Sequence, residues 1–254
     1  MISTARIPRS DTARSVDGSS PSLIVARHTL SLESDNRSRL VFMTEPAGLA
    51  VEQYKILRRR LCTLHPQGGV ILITSPSPGE GKTLTSINLA WCLAESGQST
   101  CLVELDFRAP GVSRTLDCTF DEDGVEDVIT GKRTIQQSIR QLQDLPLYIL
   151  GVRNRRVTPG ELLSSSSMTP LIAELRTMFR WSILDFAPII PMADVGEVLP
   201  HVDGALMVVR SGKTEKALIP PALEILGSKI WGVVINDTSI KGSAYYSHYG
   251  TSPD

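Results

Sequence analysis

Apolar residues along this chain occur in two rhythms that alternate. Short unbroken runs fall at 70–74, 100–104, 147–150, 181–184, 205–209 and 230–235. Each is too short for a core helix and is bounded by turn residues, which predicts strands buried on both faces. Between them the spacing becomes helical. Over 47–64, Ala50, Tyr54, Leu57 and Leu61 recur at intervals of four, three and four, and Gly68-Gly69 stops the pattern. Over 82–96, Leu84, Ile87, Trp91 and Ala94 share one face, and Gly97 ends it. Residues 168–179 make a third helix, with shorter helical stretches at 125–129 and 135–141. The helix between the last two strands holds Pro220-Pro221, so it is predicted to break and restart with Pro221 near its first turn. Strands alternating with helices in this way predict an α/β fold, a doubly wound, mostly parallel sheet with helices on both faces.

The ends of the chain follow neither rhythm. Residues 1–40 are rich in Ser, Arg and Asp, which predicts a flexible leader. The domain is expected over 41–240, and residues 241–254 read as a mobile tail. With 26 basic against 27 acidic residues in 254, the net charge of -1 gives no bulk attraction to nucleic acid. No apolar run approaches the roughly 20 residues of a membrane-spanning helix. Cys62, Cys92, Cys101 and Cys118 form no CxxC pair and are read as reduced thiols, so a cytoplasmic protein is expected. His28, His65, His201 and His248 suggest no triad and no metal site. Arg153, Arg155 and Arg156 are read as a solvated basic loop, with docking of an acidic partner as the alternative.

Candidate chemistry begins where the first strand ends. Ser75-Pro76-Ser77-Pro78-Gly79-Glu80-Gly81-Lys82-Thr83 joins a strand to a helix, the layout of a Walker A phosphate loop. Gly79 and Gly81 let backbone amides turn inward, Lys82 offers a point charge to the outer phosphates, and the Thr83 hydroxyl can ligate magnesium. The strict motif has Gly where this chain has Pro76. Two acids stand just past neighbouring strands: Asp106, with Glu104 beside it, and Asp185. Ligands in such sheets bind beyond the carboxyl ends of strands, so both would face the loop's crevice.

Together these segments resemble the bacterial tyrosine kinases (BY-kinases) of polysaccharide export and chain-length control. The carriers are Ser77 to Thr83 with Asn88-Leu89-Ala90, an A′ motif Leu102-Val103-Glu104-Leu105-Asp106-Phe107-Arg108, and a Walker B segment Ile183-Leu184-Asp185-Phe186-Ala187-Pro188. Glu161-Leu162-Leu163, Asp203-Gly204, Arg210 with Thr214, and Gly232 to Asn236 extend the likeness to roughly residues 45–249. The resemblance implies a P-loop NTPase domain of the deviant-Walker, SIMIBI-like type, binding ATP and Mg²⁺. Gly79, Glu80, Gly81, Lys82, Thr83, Leu84 and Asn236 are then expected at the nucleotide. Thr83, Asp106 and Asp185 are expected at the metal, and Lys82, Glu104, Asp106 and Asp185 in catalysis.

The resemblance also implies that Tyr245, Tyr246 and Tyr249, three of only 5 tyrosines, are autophosphorylated in trans. It implies a ring-like, phosphorylation-sensitive homo-oligomer assembled through Glu52-x-x-Lys55-x-x-Arg58, a separately encoded membrane activator of chain-length-determinant type, recruitment to the inner face of the membrane, and a phosphotyrosine phosphatase. Three departures stand out: Glu104 replaces the first A′ Asp, Phe186 and Ala187 replace a hydroxyl residue and a Pro, and Lys55 replaces an Arg. Two other readings stay open at this point. One is a catalytically weak nucleotide-binding scaffold. The other is a partitioning or cell-division ATPase, which carries an early loop Lys where this chain has Pro76 and Ser77.

Overall fold

The computed structural model describes residues 26–28, 39–120, 123–191 and 193–238. The six apolar runs form strands β2 (Gly69–Thr74), β3 (Thr100–Glu104), β5 (Leu147–Leu150), β6 (Trp181–Asp185), β7 (Gly204–Arg210) and β8 (Ile230–Asn236). With β1 (Ala26–His28) and β4 (Arg140–Leu142) they make an eight-stranded sheet in the order β1-β4-β5-β3-β6-β2-β7-β8. Every pairing is parallel except that of β4 with β5.

The unbroken apolar runs have a direct cause. Val70 and Leu72 point into one core and Ile71 and Ile73 into the other, so each strand is buried on both sides. Full burial of such a side chain contributes roughly 1.5–3 kcal/mol. One face is covered by α5 (Val125–Ile129), α6 (Ile135–Ser138), α7 (Ser165–Met178), α8 (Val195–Val198) and α9 (Ile219–Leu226). The other is covered by α1 (Val41–Thr44), α2 (Leu49–Leu64), α3 (Lys82–Glu95) and α4 (Val112–Leu116). The doubly wound expectation therefore holds. In α9, Pro220 and Pro221 sit in the first turn, where their missing amide hydrogens cost nothing.

Two expectations change. Within the leader expected over 1–40, residues 26–28 pair with β4 and Leu40 is fully buried. The rest of that segment lies outside the described residues. The stretch 135–141 splits into α6 and β4: a Thr134–Gln137 capping box starts the helix one residue before Ile135, and the backbone turns extended at its C-cap, Ile139. Ile135, Ile139 and Leu142 are all buried, so the apolar spacing survives while the backbone changes type.

The strand that carries the phosphate loop is anchored at its start. Asp203 accepts the Val70 N–H at 2.8 Å and pairs with Arg176 at 2.8 Å. Next to it, a Cβ on Gly204 would lie 2.1 Å from the Trp231 ring, which itself stacks on His65 at 3.4 Å. Among the described residues no helix is long and apolar enough to cross a membrane.

Candidate active site

Strands β3, β6 and β2 are consecutive and parallel, so the loops leaving their carboxyl ends open onto one end of the sheet. A crevice of about 660 Å³ lies there, lined by Gly79, Gly81, Lys82, Thr83, Leu84 and Asp106, among others. The loop enters α3 through Gly81 at φ +96°, a left-handed conformation suited to Gly. The first-turn amides of α3 have no intrahelical partners and carry the positive end of the helix dipole.

Lys82 is nearly buried, with its Nζ 4.0 Å from Asp106 Oδ2. Asp106 Oδ1 accepts the Ala109 amide at 3.1 Å, which fixes the carboxylate's direction. Thr83 Oγ1 donates to Asp185 Oδ2 at 2.7 Å, and Ser86 Oγ donates to Asp185 Oδ1 at 2.9 Å. Burial pushes the Asp185 carboxyl up to about 6, against the pull of Lys82 and the two hydroxyls. The structure thus brings together Lys82, Thr83, Asp106 and Asp185 and adds Ser86. Its only sequence signal is its place three residues after Thr83, on the same helix face.

Glu80 and Asn236 brace the loop. Glu80 Oε1 accepts from Ser77 Oγ at 2.7 Å and from Thr214 Oγ1 at 2.8 Å. Asn236 Nδ2 donates to the Glu80 carbonyl at 3.0 Å, and a Cβ on Gly81 would lie 2.1 Å from that nitrogen. Asn236 thus stands against the phosphate loop, where its amide fixes the loop backbone.

Glu104 departs from the catalytic role expected of it. Its Oε1 accepts the Gly111 and Val112 amides at 2.5 and 2.7 Å, and its Oε2 accepts the Val152 amide at 3.0 Å and the Ser113 hydroxyl at 3.3 Å. The side chain is fully buried and does not line the crevice. It ties the segment after β3, and the start of α4, to the end of β5. Burial drives its carboxyl up to about 7 although the backbone amides pull it down.

Phe186 likewise points away from the chemistry. It is fully buried in the core, while Thr74 Oγ1 donates to the Ala187 carbonyl at 2.8 Å. Arg153 pairs with Asp127 at 3.1 Å, and its amide and that of Asn154 bond Glu126, so this part of the basic loop is docked on α5 rather than solvated. On α2, Lys55 pairs with Glu52 at 2.8 Å, and Arg58 donates to the Cys92 carbonyl at 3.2 Å. None of these three lines the crevice. Tyr245, Tyr246 and Tyr249 lie outside the described residues.

The donor set suits a magnesium–nucleotide complex: hard oxygens from Thr83, Asp106 and Asp185 stand beside amides and a Lys able to meet phosphate oxygens. Comparison with known proteins agrees on the nucleotide. The CobQ/CobB/MinD/ParA nucleotide binding domain family matches residues 71–245. The chain is 33% identical to the tyrosine-protein kinase YwqD of Bacillus subtilis over 234 residues, 87% of this chain and 97% of that protein. It is 32% identical to the succinoglycan biosynthesis transport protein ExoP of Rhizobium meliloti over 71% of this chain but only 24% of that protein. Among solved structures, the VpsO kinase domain superposes with a TM-score of 0.68 at 29% identity, covering 75% of this chain and 96% of that one.

Proposed function

The chain belongs to the bacterial protein-tyrosine kinase family and carries its CobQ/CobB/MinD/ParA-type nucleotide-binding domain, and on that premise we propose that it phosphorylates the tyrosine cluster of a neighbouring copy. The acceptors are Tyr245, Tyr246 and Tyr249, and the role is control of exopolysaccharide synthesis and export. The observation that carries this reading is the convergence of Lys82, Thr83, Asp106 and Asp185 at the ends of three adjacent strands.

In this reading the phenolic oxygen forms the new bond to the γ-phosphorus of ATP. The bond from that phosphorus to the bridging oxygen breaks, and ADP leaves with the electron pair. Asp106 accepts the phenolic proton on its carboxylate. Lys82 stabilises charge on the transferring group, and the loop amides hold the remaining phosphate oxygens. Thr83, Asp185 and Asp106 would hold Mg²⁺, which would supply neutralisation of phosphate charge. Glu104 acts through the loop it holds, as a positioning residue.

The wider assembly follows the same reading. Glu52, Lys55 and Arg58 lie on one helix and belong to a ring-like contact between copies. In the single chain Glu52 and Lys55 satisfy each other on an exposed face, a pair contributing little to stability. A separately encoded membrane activator recruits the ring to the inner face of the membrane, and a phosphatase resets it.

The test is incubation with Mg-ATP followed by detection of phosphotyrosine, beside Lys82→Met and a Tyr245/Tyr246/Tyr249→Phe triple variant. Phosphotyrosine is expected in the wild type alone. Its persistence in the triple variant rejects the tail as acceptor. Its absence in the wild type with an activator segment present rejects autophosphorylation.

A further inference from the structure

The crevice that holds Lys82 is also lined by Arg39, Arg108 and Arg114. These three arginines are not equivalent. Arg108 is paired with Asp194. Arg39 and Arg114 are exposed, and neither guanidinium has a hydrogen-bond or acidic partner among the described residues.

Both arginines nevertheless stand on segments held by buried polar side chains. Asn88, on α3, accepts the Val41 amide through Oδ1 at 3.1 Å and donates Nδ2 to the Arg39 carbonyl at 3.1 Å. Arg114 rides on α4, whose leading amides are fixed by Glu104. Two guanidinium groups without a partner among the described residues therefore line one crevice together with Lys82, a concentration of positive charge that favours an anion. The loop and Lys82 account for the nucleotide's phosphates, which leaves the arginine pair for a second anionic group.

The sequence narrows what that group is. Between residues 239 and 254 the only acid is Asp254, so an unmodified tail brings no negative charge near its tyrosines. A tail already carrying one phosphotyrosine brings about -1.5 to -2 charge and three acceptor oxygens. Tyr249 follows Tyr246 by three residues, about 10 Å of extended chain.

We propose that Arg39 and Arg114 form a subsite for a phosphotyrosine already present on the acceptor tail, which seats the next tyrosine at the phosphate loop and makes phosphorylation of the cluster sequential. This rests on the reading that the tail is the acceptor. Guanidinium groups suit the site because they bind phosphate through paired, charge-assisted hydrogen bonds.

The test uses the full chain with Tyr245, Tyr246 and Tyr249 changed to Phe as the donor. Three synthetic peptides spanning 239–254 are the acceptors: unmodified, phosphorylated at Tyr249, and Tyr249→Glu. Transfer to Tyr245 and Tyr246 is followed by mass spectrometry, with kcat and KM separated. The phosphopeptide is expected to have a kcat/KM about tenfold above the unmodified peptide, mostly through KM, and the Tyr249→Glu peptide only a small gain. In an Arg39→Ala/Arg114→Ala donor the ratio of phosphopeptide to unmodified peptide should fall below about twofold, and an Arg39→Lys/Arg114→Lys donor should retain part of it.

A ratio near one in the wild-type site overturns the proposal. So does a ratio that survives the double Ala change, or a Tyr249→Glu peptide as good as the phosphopeptide. Transfer to the tail without preference rejects the subsite alone. No transfer to any tail peptide, by a donor that still phosphorylates another protein tyrosine, rejects the tail reading and the subsite with it.

Discussion

Glu104 offers a direct separation of a structural carboxylate from a catalytic one, because its protonation and its contacts make opposite demands. The carboxyl is raised from an ordinary 4.5 to about 7, chiefly by burial. A group raised on folding contributes stability that is fully present below pH 4.5 and lost as the pH rises through 7. That loss amounts to about 2 to 3 kcal/mol between pH 5 and pH 8. Asp185 acts in the same sense over a lower window, from 3.8 to about 6, and stays in any Glu104 variant.

In Glu104→Gln the side-chain carbonyl can still accept the Gly111 and Val112 amides, but the new NH₂ meets the Val152 N–H, at a cost of about 1–2 kcal/mol. The variant should therefore be less stable than wild type at pH 5 and at least as stable at pH 8. Glu104→Ala leaves three amides without their acceptor and should cost about 4 kcal/mol or more at any pH. Urea denaturation at pH 5, 6.5 and 8 measures both. Parallel pH profiles for wild type and Glu104→Gln, or an Ala variant within about 1 kcal/mol of wild type, would refute this account of the residue.

Other expectations follow from single contacts. Gly81→Ala places a methyl 2.1 Å from Asn236 Nδ2 at φ +96°, so calorimetric titration should show nucleotide affinity at least tenfold weaker, about 1.4 kcal/mol or more. Phe186→Ser restores the hydroxyl that the family pattern has there but empties a fully buried ring site, and thermal melting should report a loss of about 3–5 kcal/mol. Thr83→Ala removes a hydroxyl that bonds the buried Asp185, so phosphotyrosine formation should require a severalfold higher Mg²⁺ concentration, with a stability loss of about 1–3 kcal/mol in thermal melting without nucleotide. Chelating the metal with EDTA should abolish phosphotyrosine while the far-ultraviolet circular dichroism stays the same.

The sheet was legible because its strands are buried on both faces and so read as continuous apolar runs. The phosphate loop was legible because turning amides toward phosphate requires Gly at set positions. What the sequence hid has physical causes. The stretch 135–141 keeps helical apolar spacing while half of it is strand: Ile135 and Ile139 enter the core on one face of the sheet, and the strand that follows turns Leu142 into the core on the other. Strand β1 is three residues whose place depends on pairing with β4, a partner far along the chain. Glu104 matches the first A′ position, expected in catalysis, by charge, but its carboxylate meets the amides of Gly111, Val112 and Val152. Arg39 and Arg114 carry no motif at all, because a crevice wall is assembled from segments brought together only by folding.

The order of the sheet also acts as a ruler. Strands β1 and β8 are its two opposite edges, separated by seven steps of about 4.8 Å, or about 34 Å in all. The chain therefore enters β1 and leaves β8 at opposite edges of the sheet. Donor and acceptor dyes attached beside those strands would sit within the working range of resonance energy transfer. Within one chain, whatever is attached beside β1 is therefore held about one domain's width from the end of β8.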